Sequence, residues 1–135
     1  MVALMQIVFL MQATGSVYGA ERATLDLAQR LAREPNYQVT IWLLDETRVP
    51  AAAVAVTDAA RKRGLDVWTW PVARAWAPGL IGSLRRALME RRVDVLHTVG
   101  YKADLHGGWA TRWGRLVPWV STVHGWLFRP DARGI

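Results

Sequence analysis

The strongest constraint on this chain is an alternation of short apolar runs with helical patterns that continues through most of its length. Residues 3–10 (ALMQIVFL) have the length and β-branched content of a buried strand. Residues 20–33 follow at helical spacing, with Ala20, Ala23, Leu27, Ala28 and Leu31 expected on one buried face. The same grammar gives a second strand at 37–44, a helix at 51–63 closed by Gly64, and a third strand at 65–70. It then gives a helix at 79–92 with Leu80, Ile81, Leu84 and Leu88 inward, and a fourth strand at 93–98. A helix at 103–114, with Leu105, Trp109 and Trp113 at four-residue spacing, leads to a fifth strand at 117–123. Strands that alternate with helices fold as an α/β domain, a parallel sheet with helices on both faces.

At 135 residues the chain suits one domain with a real core, and 52% hydrophobic residues argue against disorder. The absence of cysteine excludes a disulfide framework and a thiolate zinc site, which suits the cytoplasm. The longest apolar run is about half a membrane span and is broken by Gln6, and no Lys or Arg precedes Arg22, so neither a spanning helix nor a signal peptide is expected. The net charge of +6 comes from 15 arginines and two lysines against 11 acids, clustered at 61–63, 85–86 and 91–92 on or beside helices. Solvated helix faces are the plain reading of those clusters, and an anionic membrane surface or an acidic partner is the next. No nucleic-acid motif accompanies them, so no nucleic-acid partner is expected.

In open parallel sheets, ligands bind outside the carboxyl ends of the strands, near the point where strand order reverses. The first strand-to-helix turn, ATGSVYGAER (13–22), puts Gly15 and Gly19 at that edge. Glycine lets a ligand approach the backbone, and the helix start offers N–H groups and a positive dipole end, so a phosphate is the natural guest. The plain alternative is that both glycines serve turn geometry and Glu21 complements the dipole. Asp45 and Glu46 follow the second strand, Trp76 lies in the 70–78 segment after the third, His97, Tyr101 and Lys102 lie at or after the fourth, and His124 follows the fifth.

Sharper motifs fail on spacing. A dinucleotide fingerprint needs G-x-G-x-x-G, although Asp45 is placed to hold a ribose hydroxyl. There is no G-x-x-x-x-G-K-[ST] loop and no G-x-S-x-G elbow, which removes the main support for nucleotide hydrolysis of that type and for a hydrolase triad. The three histidines lack paired spacing, so no metal site is expected.

Three segments, YGAER (18–22), DVLHTVGYKADLHG (94–107) and STVHGW (121–126), together resemble the amino-terminal domain of GT-B glycosyltransferases of family 4. The resemblance runs over about residues 5–128, with Tyr18 where the first glycine of a pair is usual and Val99 where a second histidine is common. It implies a Rossmann-like parallel sheet of about five strands in the order 3-2-1-4-5, one half of a GT-B fold. It also implies a nucleotide-diphosphate sugar as co-substrate, with no other cofactor. Gly15 and Gly19 would approach the donor diphosphate, His124 would act at the transferred sugar, and His97, Tyr101 and Lys102 would face a glycan or lipid-linked acceptor. Trp76, near Arg74, would serve the acceptor or a peripheral contact with an anionic membrane. The donor-binding carboxyl-terminal domain of the family has no counterpart in residues 1–135, so the chain is expected to be inactive without that domain in cis or in trans. The competing reading is a non-catalytic nucleotide- or sugar-binding module, or a partner subunit.

Overall fold

The computed structural model describes residues 3–13, 19–46, 50–72 and 76–123. Its elements follow in the order β1 (Met5–Gln12), α1 (Gly19–Ala32), β2 (Tyr37–Glu46), α2 (Pro50–Lys62), β3 (Asp66–Val72), α3 (Pro78–Glu90), β4 (Val95–Val99), α4 (Tyr101–Ala110) and β5 (Trp119–Thr122). The five strands form one sheet in the order β3-β2-β1-β4-β5, and every neighbouring pair is parallel. Strand order and helix alternation therefore agree with the sequence reading.

Parallel pairing aligns side chains across the sheet and sorts them onto two faces. Phe9 stands beside Ile41 on one side and His97 on the other, and His97 stands beside Val120. On one face Ile7, Phe9, Met11, Val39, Ile41 and Leu43 pack against α1 and α2. On the other, Val8, Leu10, Trp42, Leu44 and Leu96 pack against α3 and α4. Each fully buried Phe or Leu contributes roughly 1.5–3 kcal/mol over exposure, so the doubly covered strands β1 and β2 anchor the fold. Pro71 sits on β3, an edge strand, where a missing N–H costs no ladder bond.

Two helices turn a different face inward from the one their large apolar residues suggest. In α1 the expected Ala28 is buried and Leu31 packs against the core, but Glu21, Thr24 and Leu25 are buried beside them while Ala23 and Leu27 are exposed. Thr24 is accommodated because its hydroxyl donates to the Ala20 carbonyl at 2.8 Å. In α4 the buried residues are Ala103, His106, Gly107, Gly108 and Ala110, and Trp109 points to solvent. A Cβ on Gly107 would lie 2.6 Å from Thr98 Cγ2, so α4 can approach β4 only through that glycine. α4 also ends at Ala110, which leaves Trp113 outside the helix. In α3, by contrast, Leu80, Leu84 and Leu88 are buried as their spacing predicts. β2 runs on through Asp45 and Glu46, and β3 through Val72, because each pairs with its neighbour to the last residue.

Candidate functional site at the carboxyl edge of the sheet

Gln12, Glu46 and Lys102 meet at the carboxyl ends of β1 and β2 and the first turn of α4. Lys102 Nζ forms an ion pair with Glu46 Oε1, their side chains 13% and 23% exposed. Gln12 Nε2 donates to the same carboxylate oxygen at 3.4 Å, and Gln12 Oε1 accepts from the Lys102 backbone N–H at 3.4 Å. The chain reaches α4 through Gly100, whose φ of 98° and ψ of 154° belong to a region open essentially to glycine alone. A side chain there would also meet Gln12. The result is a carboxylate, an amide and an ammonium held at the edge where the order of strands reverses. Such a mixed set can accept from sugar hydroxyls and donate to hydroxyl or phosphate oxygens.

Gly19 is the first residue of α1, and a Cβ added to it would meet nothing within 4 Å. A side chain would therefore fit at that position, and the backbone there does not itself require glycine. Gly15, Arg74 and His124 lie outside the described residues.

The remaining predicted residues separate. Tyr101 is exposed at the start of α4, one residue from Lys102. His97 is the middle residue of β4 and lies on the α1 side of the sheet, away from Lys102. Its ring stacks on Phe9 with centroids 4.8 Å apart, and Nε2 shares a hydrogen bond with Thr122 Oγ1. With Ala23, Thr24, Leu27 and Thr122 it lines a shallow depression of about 100 Å³, floored by the α1 residues that the apolar pattern places inside. Asp45 likewise faces away from Glu46, and its Oδ1 is buried with no hydrogen-bond partner. Trp76 is exposed, with its ring tilted against His106 at 5.5 Å. His106 itself is fully buried and satisfied, donating from Nδ1 to the Lys102 carbonyl at 2.8 Å and accepting at Nε2 from Ala77 N–H at 3.1 Å. It therefore fixes the start of α3 against α4, a structural task. Among the described residues no group of three or more His, Asp or Glu side chains could hold a metal ion.

Gln12 and Glu46 are the partners that sequence reasoning did not join to Lys102. The available signal was positional: both are polar residues closing strongly apolar strands.

The family model for Glycosyltransferase Family 4 matches residues 17–134. The chain belongs to glycosyltransferase family 4. Solved structures carry the same fold at low identity. A glycosyltransferase from Rickettsia africae ESF-5 superposes with a TM-score of 0.70 at 18% identity, covering 96% of this chain and 32% of that one. MurG from Acinetobacter baumannii gives 0.61 at 16% identity, over 86% and 34% of the two chains. A UDP-GlcNAc 2-epimerase from Neisseria meningitidis, bound to UDP-GlcNAc, gives 0.62 at 11% identity, over 87% and 32%. This family 4 chain thus spans about a third of the length of these neighbours and has the Rossmann-like architecture of one half of a GT-B fold. A comparison with curated proteins finds no match.

Proposed function

We propose that this family 4 domain is the acceptor-side half of a glycosyltransferase that moves a sugar from a nucleotide-diphosphate sugar to a glycan or lipid-linked acceptor in polysaccharide assembly. The observation that carries the reading is the Gln12–Glu46–Lys102 cluster at the carboxyl edge of the sheet, within a chain that matches the family along most of its length. Lys102 and Tyr101 serve the acceptor, with Glu46 and Gln12 holding the lysine in place. The position of Gly19 as the first residue of α1 supports a donor diphosphate there, where N–H groups and the helix dipole stabilise the charge that grows on the leaving group. His124 acts at the transferred sugar, and His97 serves the acceptor from the α1 side. The nucleotide sugar is the only small molecule required, and no metal or other cofactor takes part. A donor-binding domain supplied in cis or in trans completes the cleft, and the 135-residue chain alone is inactive. The domain works at the cytoplasmic face of a membrane, with Trp76 and Arg74 in peripheral contact with anionic lipid; among the described residues no helix is long and apolar enough to cross one.

The test is reconstitution. The chain is joined to a family 4 donor-binding domain, and transfer from a labelled nucleotide sugar is followed for the pair and for each part. Transfer by the pair alone supports the reading, and His124→Ala then lowers turnover by roughly 10²-fold, the size of one lost stabiliser of developing charge. Failure of the pair, together with tight nucleotide-sugar binding by this chain alone, would assign it to the binding modules instead.

A further inference from the structure

An open depression of about 350 Å³ lies on the α3–α4 side of the domain, lined by Arg85, Trp109, Arg112, Trp113, Arg115 and Leu116. Among the described residues that line it, three of six are arginines and none is acidic. Arg85 is already engaged, its Nε donating to the Ala110 carbonyl at 3.1 Å and its Nη2 to the Trp109 carbonyl at 2.8 Å. Arg112 and Arg115 are exposed, and the ion pairs among the described residues, Arg63–Asp26 and Lys102–Glu46, involve neither. Trp109 is 45% exposed and Trp113 54% exposed, with Leu116 exposed beside them. An isolated surface tryptophan needs no explanation, but two indoles and a leucine made contiguous with unpaired cations do.

The backbone here is arranged to hold those side chains outward. Arg112 N–H donates to the Trp109 carbonyl and Trp113 N–H to the Gly108 carbonyl, the paired bonds of a Schellman ending. The residue that must turn left-handed in such an ending is usually glycine, as Gly64 is after α2 with φ 75°. Arginine takes that place after both α3 and α4, Arg92 with φ 51° and Arg112 with φ 50°, and only after α4 does a second left-handed residue follow, Trp113 with φ 57°. A cation near a helix C-terminus has an ordinary reason, the dipole. The dipole does not account for the exposed indoles.

We propose that this surface is a peripheral membrane-docking face that takes the headgroups of anionic phospholipids. Tryptophan settles at headgroup depth, its apolar ring toward the acyl boundary and its N–H toward water, while arginines beside it meet lipid phosphates. The Trp113 ring is tilted against Trp109 at 5.3 Å and Trp119 at 5.7 Å. It also packs close to Gly108, so the indole is held in place by its neighbours while it stays more than half exposed, which suits a headgroup layer. A second copy docking on the same patch would bring like charges together. The inference rests on the membrane contact proposed above and moves its centre from the Trp76 loop to the end of α4.

The test is sedimentation of the 135-residue chain with phosphatidylcholine vesicles containing rising proportions of phosphatidylglycerol, at low salt. Binding should grow with phosphatidylglycerol, fall about fivefold with Arg112→Gln and with Arg115→Gln, and fall further with Trp109→Ala. The glutamine variants should keep the parent unfolding midpoint, and inorganic phosphate should not displace the vesicles. Binding abolished by Trp76→Ala but unchanged in the arginine variants would keep the membrane contact and overturn this face. No vesicle binding by the parent chain would remove both. Indifference to lipid charge, or tighter binding to a single-stranded oligonucleotide than to anionic vesicles, would also overturn it.

Discussion

Replacing Gly107 by alanine tests how α4 is seated, and with it the position of every residue that the helix carries. The new Cβ would stand 2.6 Å from Thr98 Cγ2 and 3.2 Å from the Cδ2 atoms of Leu10 and Leu96. Thr98 cannot turn away cheaply. It is fully buried, donates to Asp104 Oδ1 at 2.6 Å and accepts from Trp119 Nε1 at 2.8 Å. Either α4 lifts from β4 or those bonds are lost. Overpacking of this kind costs about 1–3 kcal/mol, and a hydrogen bond to a charged group adds about 1.5–3 kcal/mol if it breaks. Alanine returns about 1 kcal/mol of helix propensity, which leaves a net loss of roughly 0–2 kcal/mol where α4 lifts and about 1.5–5 kcal/mol where the bond breaks. Gly82, exposed in α3 with nothing near its missing Cβ, is the matched control, and Gly82→Ala should gain about 1 kcal/mol. Urea unfolding of both variants reads the difference as opposite shifts in midpoint at constant slope. Thr98→Ser removes Cγ2 and keeps the hydroxyl, so in the Gly107→Ala background it should recover part of the loss. Equal midpoints for the two alanine variants, or no recovery with serine, would refute the close approach of α4 to β4.

Arg112→Gly should raise stability by about 0.5–1 kcal/mol, because relief of a left-handed arginine outweighs the added freedom of the unfolded chain, while it lowers affinity for anionic vesicles. A thermal scan beside the vesicle assay checks both signs, and a destabilised variant contradicts the strain. Gly19→Ala should leave the urea midpoint within about 0.5 kcal/mol of the parent, since its Cβ meets open space, yet weaken nucleotide-sugar binding by the reconstituted enzyme. Unchanged binding, measured by calorimetry, would remove Gly19 from the donor site. Glu46→Gln should cost about 1–3 kcal/mol of stability, because it leaves the mostly buried Lys102 ammonium without its carboxylate, and should raise KM for the acceptor more than it lowers kcat. The double variant Glu46→Gln with Lys102→Met should recover stability without recovering acceptor affinity, and equal recovery of both would make the pair purely structural.

What the sequence made legible was whatever depends on large side chains at regular spacing. The alternation of elements and the leucine face of α3 follow from it, because each leucine there meets a sheet face directly, whereas the order of the strands was implied by the family resemblance. The faces of α1 and α4 do not follow, since both helices bury small or polar residues. α4 packs through Gly107 and Ala103 and satisfies His106 with two backbone bonds, so spacing by tryptophan selects the wrong side. At the site, Lys102 and Tyr101 could be placed at the strand edge by topology alone. That Glu46 and Gln12 would hold Lys102 depends on strand register, and that His97 would face α1 depends on its place within β4, neither of which local pattern encodes.

The preference for arginine over lysine has a related physical reason. A lysine would answer a helix dipole as well as an arginine does, so fifteen arginines against two lysines ask for something that a point charge cannot supply. Arg85 supplies it by spanning two carbonyls at the end of α4 with separate N–H groups. Arg91 supplies it by lying 3.2 Å over the ring of Trp68, an exposed tryptophan on an edge strand. Both uses need a planar, delocalised cation whose charge never titrates in the working range. Around the ends of α3 and α4, then, arginines and tryptophans serve one another: the guanidinium shields an indole or closes a helix, and the indoles keep apolar surface beside the charge. A surface built this way presents both components that a lipid headgroup layer recognises.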